Sequence, residues 1–192
     1  MTYPFQERQS AADGFKLLGP AAKPAVPELV KLLTDSDKGV ASNAAKCLGG
    51  IGPDAREAVP ALIKAVKDPD PHVRQDAVFA LGELGPSAEP AVDVLIEAAN
   101  EPYQGASFYA LQSLGAIGAK PQVVIPLLLA ALNKPQSDRT VYDVAIVGLG
   151  RFGAAAQSAA PSILPFLNDE ISYIRRDATN TLKQIGVGVA SK

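Results

Sequence analysis

The feature that most constrains this chain is an internal repeat. A glycine that follows an apolar stretch returns at separations of 33 to 35 residues, and an alanine and a leucine return in step with it. Self-similarity at a period of about 20–50 residues is typical of repeat architectures, whose units bury their apolar faces against each other. The three columns are Gly19, Gly52, Gly85, Gly118, Gly153 and Gly186, then Ala11, Ala44, Ala77, Ala110, Ala145 and Ala178, then Leu48, Leu81, Leu114, Leu149 and Leu182.

The clearest copy of the repeated segment runs from residue 71 to residue 86 and predicts a helix. Its apolar residues fall at spacings of three and four, which places them on one face; they are Val73, Ala77, Ala80, Leu81 and Leu84. Gly85 is predicted to end this helix, because glycine enters the left-handed conformation of a helix C-cap without a Cβ clash. At the other end, Asp70 is a predicted N-cap and Pro71 suits the first helical position.

In this register the chain is a half-repeat followed by five two-helix units, all within one domain of residues 1–192. The half-repeat spans 5–19, and the units span about 20–52, 53–85, 86–118, 119–153 and 154–186. Their second helices are predicted over 38–51, 71–84, 104–117, 139–152 and 171–185. A lone helical hairpin leaves much of its apolar face exposed, so stacking into an all-α solenoid is the expected architecture.

Each first helix carries an apolar pair, and in four of the five units a proline stands two residues before it. These prolines are Pro27, Pro60, Pro126 and Pro161, and the third unit has Asp93 instead. Proline is tolerated in the first turn of a helix but not in its interior. Each regular first helix is therefore predicted to begin near its proline, after a looser turn.

The repeated residues resemble a short HEAT repeat of the phycobilisome-lyase type. The resemblance covers about residues 5–187 and is carried by the segment 58–63, Asp68, the pair 73–74, and the residues that end each second helix. Ankyrin's Thr-Pro-Leu-His signature is absent, and the chain has no tryptophan for a tetratricopeptide repeat. The resemblance implies a right-handed superhelix of five HEAT-like repeats plus the half-repeat, with the second helices along its concave side.

The resemblance also suggests two functions of different classes. One is a non-enzymatic scaffold that binds another protein or peptide along the concave face. The alternative is a bilin lyase or isomerase-type subunit that acts on a tetrapyrrole and its carrier protein. HEAT repeats also carry loop acids and arginines that form a ladder, but only Arg74 and Arg175 occupy the arginine column here, so a continuous ladder is not expected.

Composition excludes several classes of function. The 18 basic and 20 acidic residues give a net charge of −2, which predicts no general attraction to nucleic acid. The longest charge-free apolar run, residues 123–132, is too short to cross a bilayer. The first residues lack the basic start and apolar core of a secretory signal, so a cytoplasmic protein is expected.

No catalytic or metal-binding set emerges from the sequence. His72 is the only histidine, and without a partner it makes zinc ligation improbable. Residues 148–153 fit a dinucleotide-binding pattern, but that motif requires a preceding strand, whereas this segment ends a helix. Cys47 falls in a column of small residues, which indicates packing. The chain is therefore expected to be no enzyme and to hold no cofactor or metal.

The second helices offer a candidate partner-binding surface. Phe79, Phe108 and Tyr109 are predicted to cluster in the middle of the groove, because outward columns recur one repeat apart. Aromatic anchors inside a polar rim are what protein-binding surfaces use. The predicted rim consists of Asp76, Gln112, Asp143, Arg151 and Arg176. The alternative is that the three rings tuck between the helices.

A second candidate interface lies on the opposite side. The first helices of units four and five carry no charge, and Leu127, Ala130 and Pro165 fall in columns expected to face outward. Self-association through this convex face near Leu127 and Pro165 is one interpretation, and ordinary apolar surface is the other. The sequence names neither the partner nor the oligomeric state, nor whether the chain belongs to a longer array.

Overall fold

A computed structural model describes residues 5–100, 104–134 and 139–188. These residues form helices and turns without a strand, so the predicted all-α class is confirmed. The half-repeat is helix α1, Phe5–Leu18. The first unit consists of a 3₁₀ segment Gly19–Ala25, α2 Val26–Leu32 and α3 Lys38–Ile51. The second consists of a 3₁₀ segment Gly52–Ala58, α4 Val59–Ala65 and α5 Pro71–Glu83.

The third unit repeats this plan with a 3₁₀ segment Gly85–Ala91, α6 Val92–Ala99 and α7 Gln104–Ile117. The fourth has two α-helices, α8 Pro121–Leu132 and α9 Arg139–Arg151. The fifth has a 3₁₀ segment Gly153–Ala159, a single α-turn α10 Ala160–Ile163, a 3₁₀ segment Leu164–Asn168 and α11 Ser172–Gln184.

The six helices α1, α3, α5, α7, α9 and α11 form one layer, in which each helix packs against the next. The other helices pack against the second helix of their own unit. Every member of the leucine column has no exposed surface, which identifies this column as the spine of the core. The architecture is the predicted α-solenoid, while the handedness of its superhelix and the exact unit limits stay predictions.

The boundaries of the helices follow from capping chemistry. All six repeat-boundary glycines adopt positive φ, from 48° to 84°, which residues with a Cβ atom rarely adopt. Asp70 caps α5 by accepting hydrogen bonds from the backbone N–H of His72 and Val73, at 2.9 and 3.2 Å. Pro71 occupies the first position of that helix, as predicted.

The fourth unit corrects the prediction about prolines. Helix α8 begins at Pro121, and Pro126 lies in its interior instead of near its start. Lys120 adopts a left-handed conformation, with φ 49° and ψ 55°, so α8 starts at once without a 3₁₀ turn. Pro126 lacks an N–H group and leaves the carbonyl of Gln122 without its helical donor. Both residues are exposed, so solvent can satisfy that carbonyl.

Small residues allow adjacent second helices to approach closely. A Cβ atom placed on Gly49 would lie 3.0 Å from the Cα of Ala80, and one placed on Gly82 would lie 3.0 Å from the Cα of Ser113. The mid-helix glycine column therefore packs against the small-residue column of the next unit. Ser113 also donates a hydrogen bond from α7 to α5, from its Oγ to the carbonyl of Val78, at 2.8 Å.

The loop acids act mainly inside their own loops. Asp68 accepts a hydrogen bond from the backbone N–H of Asp70 at 2.9 Å, and Arg74 donates to the carbonyls of Asp68 and Pro69. Links between units come from the first residue of a second helix: Lys38 Nζ lies 2.9 Å from the Asp68 carboxylate, and Arg139 pairs with the Asp169 carboxylate. The contacts thus differ from a continuous aspartate–arginine ladder, because Arg74 and Arg175 of the predicted arginine column bind carbonyls of their own loops.

Candidate functional site

The three predicted aromatic residues form one contiguous cluster. Phe79 projects from α5, while Phe108 and Tyr109 project from α7. The Tyr109 ring centre lies 6.1 Å from that of Phe79 and 5.2 Å from that of Phe108, with both pairs edge-to-face at 84° and 81°. All three rings are half-buried, and Tyr109 packs against the core. The rings are therefore neither fully exposed in the groove nor fully buried between the helices, the two arrangements considered from the sequence.

Asp76 lies beneath this cluster and is buried, with 7% of its surface exposed. Its carboxylate accepts a hydrogen bond from the Ser42 hydroxyl and lies 3.3 Å from Lys46 Nζ. Burial raises the pKa of Asp76, while Ser42 and Lys46 favour the charged form. Asp76 is thus an internally compensated charge below the surface, whereas the sequence placed it on the rim.

Asp143 and Arg176 form part of a second polar group, between α9 and α11. Burial and the neighbouring carboxylate of Asp177 raise the pKa of Asp143. Arg176 pairs with Asp177 of its own helix, at 2.8 Å, and this hydrogen bond lowers the pKa of Asp177. The Oδ1 atom of Asp143 is buried without a hydrogen-bond partner. Asp143 and Arg176, two of the predicted rim charges, therefore both interact with Asp177 of α11. Gln112 and Arg151 are exposed.

A cleft of about 340 Å³ opens on the side of the layer that carries Phe79. It crosses α1, α3, α5 and α7, and its lining brings together three predicted site residues, Asp76, Phe79 and Tyr109. The other lining residues are Ala12, Asp13, Lys16, Lys46, Gly50, Gln75 and Glu83. Sequence reasoning missed most of these, although Lys46 shares a repeat column with Phe79. The surface formed by α1, α3, α5, α7, α9 and α11 around this cleft is named the second-helix face.

Other sequence candidates have structural positions that fit packing. Cys47 is buried, and burial raises the pKa of its thiol to about 11, so the reactive thiolate is disfavoured. Residues 148–153 lie at the end of α9 and the start of a 3₁₀ segment. Within the described ranges, no three His, Cys, Asp or Glu side chains gather as a metal site would require. No helix among those residues is long and apolar enough to cross a bilayer.

The opposite side of the layer carries exposed apolar residues. Val123 on α8 and Leu164 in the fifth unit are 44% and 45% exposed. Pro165 is also exposed, whereas Leu127 is half-buried and packs against the core. The predicted apolar patch thus lies around Val123, Leu164 and Pro165 more than around Leu127.

Comparison with solved structures places the fold among repeat proteins. Two crystal structures of engineered proteins align with TM-scores of 0.71 and 0.68, at 21% and 22% identity. The alignments cover 91% and 95% of this chain and 88% and 55% of those chains. The complex of CpcE and CpcF of phycocyanin lyase from Nostoc sp. PCC7120 aligns at 26% identity, with a TM-score of 0.64, over 97% of this chain and 74% of that chain.

Sequence comparison identifies the repeats themselves. No curated protein matches the chain. Residues 26–115, which include the first three units nearly complete, match the family of HEAT repeats. The resemblance predicted from the sequence is therefore confirmed, and residues 26–115 carry HEAT repeats.

Proposed function

We propose that this chain is a non-enzymatic scaffold that binds a partner protein or peptide along the second-helix face. The observation that carries the proposal is the aromatic cluster of Phe79, Phe108 and Tyr109 beside the 340 Å³ cleft. HEAT repeats are protein-interaction modules, and one similar structure is itself a complex of two proteins. Both findings support a protein partner without naming one.

The energetics favour the rings as anchors. Each ring is half-buried in the free chain, so a partner can cover the remaining aromatic surface while the helices already hold the ring in place. Burial of one such ring contributes on the order of 2 kcal/mol, which is enough for a binding hot spot. Gln112 is exposed on the helix that carries Phe108 and Tyr109, and Arg151 and Arg176 are exposed on the helices that follow, α9 and α11. Charges at the rim of a binding surface mainly affect orientation and association rate.

A site-specific crosslinking experiment tests this function. A photoreactive residue is placed at the exposed Gln112, the crosslinked partner is identified, and its affinity is then measured with purified proteins. We expect Phe79→Ala and Phe108→Ala each to weaken binding severalfold or more while the chain stays folded. Leu164→Ser on the opposite side is the matched control and should leave the affinity unchanged. Unchanged binding to the folded Phe79→Ala/Phe108→Ala double variant would refute the proposal.

The absence of catalysis is part of the same proposal. Support comes from the single buried cysteine and from the lack of a His, Cys, Asp and Glu cluster among the described residues. Elemental analysis of the purified chain provides the check. If the chain contains stoichiometric metal, the non-enzymatic scaffold function is contradicted and a metal-dependent function is favoured.

The similarity to the phycocyanin-lyase complex favours a second candidate, a subunit of a bilin lyase or isomerase. That similarity extends over 97% of this chain. An absorbance titration of the purified chain with a bilin separates the two candidates. A red shift, or a covalent adduct on the chain or on a carrier protein, would support the lyase-type function. An unchanged bilin spectrum, together with partner binding, would support the scaffold.

Self-association is a separate expectation for the opposite side. Val123, Leu164 and Pro165 expose apolar surface there, and burial of such surface between two copies would be favourable. Sedimentation velocity over a range of concentrations tests it. A dimer that dissociates in Leu164→Ser would support self-association through this side, and a monomer at every concentration would exclude it.

A further inference from the structure

Gly50 of α3 lines the cleft on the second-helix face, and its neighbour Gly49 packs against α5. A Cβ atom on Gly50 would lie 2.7 Å from the carbonyl oxygen of Ala12 on α1, and one on Gly49 would lie 3.0 Å from the Cα of Ala80 on α5. Helix α3 therefore presents backbone at residue 50. The equivalent residues of the later units are Glu83, Ala116, Arg151 and Gln184. An entering group would lie in the cleft that Gly50 lines together with Asp13, Phe79 and Glu83.

The charges of the lining residues favour one kind of entering group. Lys46 and Asp76 compensate each other at 3.3 Å. Three exposed charged side chains then remain along the cleft: Asp13 and Lys16 on α1 and Glu83 on α5. Two carboxylates against one ammonium leave a net charge of −1, so the cleft attracts a cation and disfavours an anion. A purely apolar group would desolvate the carboxylates without pairing them.

The aromatic residues of the cleft favour one type of cation. Phe79 and Glu83 are four residues apart on α5, so their side chains lie on the same face of the helix. Tyr109 supports Phe79 from the neighbouring helix, at a ring-centre distance of 6.1 Å. An aromatic ring beside a carboxylate suits a planar guanidinium, which stacks on the ring and donates two hydrogen bonds to the acid. An ammonium is more strongly hydrated and gains less from the ring.

We infer that the cleft takes an arginine side chain of the partner protein, with Phe79 against the guanidinium plane and Glu83 and Asp13 as its acceptors. This inference rests on the proposed function, since it specifies what the partner inserts beside the aromatic cluster. Lys16 lies at the α1 end of the cleft, where it remains available for an acidic residue that flanks the arginine. The site thus requires a partner segment with at least one exposed arginine.

An NMR titration with small probes tests the chemistry without knowledge of the partner. The isotope-labelled chain is titrated with N-acetyl-arginine methylamide and with its citrulline isostere, which has nearly the same shape but no charge. We expect saturable shifts at the backbone amides of Gly50 and Glu83, with binding of the arginine probe roughly threefold or more tighter than that of citrulline. Sodium chloride should weaken only the arginine probe.

Two variants test whether Glu83 accepts the hydrogen bonds of the guanidinium group. Glu83→Gln keeps the shape of the side chain and should weaken the arginine probe severalfold, while citrulline binding stays the same. Glu57→Gln, at an exposed residue on the 3₁₀ segment of the second unit, removes the same charge elsewhere and should change neither titration. Equal binding of the two probes, or shifts that avoid Gly50 and Glu83, would overturn the inference.

The outcomes for this inference and for the scaffold function can be told apart. If the arginine probe fails but Phe79→Ala still weakens the identified partner, the scaffold function stands and the arginine site is wrong. If the probe binds at Gly50 and Glu83 but the partner binds Phe79→Ala unchanged, the site recognises guanidinium and the partner uses another surface. That second result would refute the role of the site in partner binding.

Discussion

Gly115 and Gly148 mark a close backbone approach between the second helices of the third and fourth units. A Cβ atom on Gly115 of α7 would lie 2.7 Å from the Cα of Gly148 on α9. Because the contact is with backbone, no side-chain rotation can relieve it. The contact between α7 and α9 therefore depends on the absence of a side chain at Gly115, whereas a Cβ on Gly148 would press on Leu128 of α8, at 3.1 Å.

Gly115→Ala should accordingly destabilise the chain. Overpacking costs about 1–3 kcal/mol, and the higher helix propensity of alanine offsets about 1 kcal/mol of it, so a net loss of up to about 2 kcal/mol is expected in urea unfolding. Gly14→Ala on α1 is the matched control, since a Cβ there meets nothing within 4 Å. That variant should gain stability by up to about 1 kcal/mol. A stabilised Gly115→Ala would show that α7 and α9 separate at little cost.

The leucine column offers a second test. Leu114 is fully buried on α7, and replacement of a buried leucine by alanine costs about 2–5 kcal/mol through lost burial and the cavity that remains. Urea unfolding followed by circular dichroism should show this loss for Leu114→Ala. Leu164→Ala, at a side chain that is 45% exposed, should change stability far less. A harmless Leu114→Ala would contradict the assignment of this column to the core.

The contrast between predicted and observed features has a physical cause. Helix limits were predicted closely because caps and terminal glycines act within a few residues, as at Asp70 and Gly85. Contacts between units were harder to predict, since adjacent second helices are offset along their axes. Ser42 meets Asp76, 34 residues ahead, whereas a Cβ on Gly49 would meet Ala80, 31 residues ahead. A repeat period alone does not fix this offset, so the acids and lysines of the cleft were not recognised as one group.

Asp143 and Asp177 form the same 34-residue pairing as Ser42 and Asp76. The two carboxyl groups lie close enough to perturb each other. Burial and then the charge of Asp177 raise the pKa of Asp143, while the hydrogen bond from Arg176 lowers the pKa of Asp177. A carboxyl group thus occupies the place that the Ser42 hydroxyl holds between α3 and α5.

This arrangement predicts a pH-dependent effect of Asp143→Asn. A group whose folded pKa is raised binds its proton more tightly in the folded chain, so its contribution to stability falls as pH rises from the unfolded pKa through the folded one. Asparagine is neutral at every pH, so it avoids both the burial of a charge and the repulsion from Asp177. The variant should therefore be more stable than the parent at pH 7, and the difference should shrink towards zero below about pH 4.

Urea unfolding of the parent and Asp143→Asn between pH 3 and pH 7 measures that difference. Asp54→Asn, on the 3₁₀ segment of the second unit, controls for the loss of one negative charge elsewhere. A gain in stability for Asp143→Asn that is the same at every pH would argue against a raised pKa of Asp143.

The members of the aromatic cluster are expected to contribute unequally to the stability of the free chain. Tyr109 contacts both other rings and packs against the core, whereas Phe108 contacts one ring of the cluster, that of Tyr109. Tyr109→Ala should therefore cost about 2–4 kcal/mol of stability through lost packing and two lost ring pairs. Phe108→Ala should cost about 1 kcal/mol, mostly from one ring pair.

A double-mutant cycle in urea, with Phe108→Ala, Tyr109→Ala and the double variant, should give a coupling energy of about 0.5–1.5 kcal/mol. If Phe108→Ala instead destabilises the chain as much as Tyr109→Ala, its ring is a core element tucked between the helices, and the part of the cluster available to a partner reduces to Phe79.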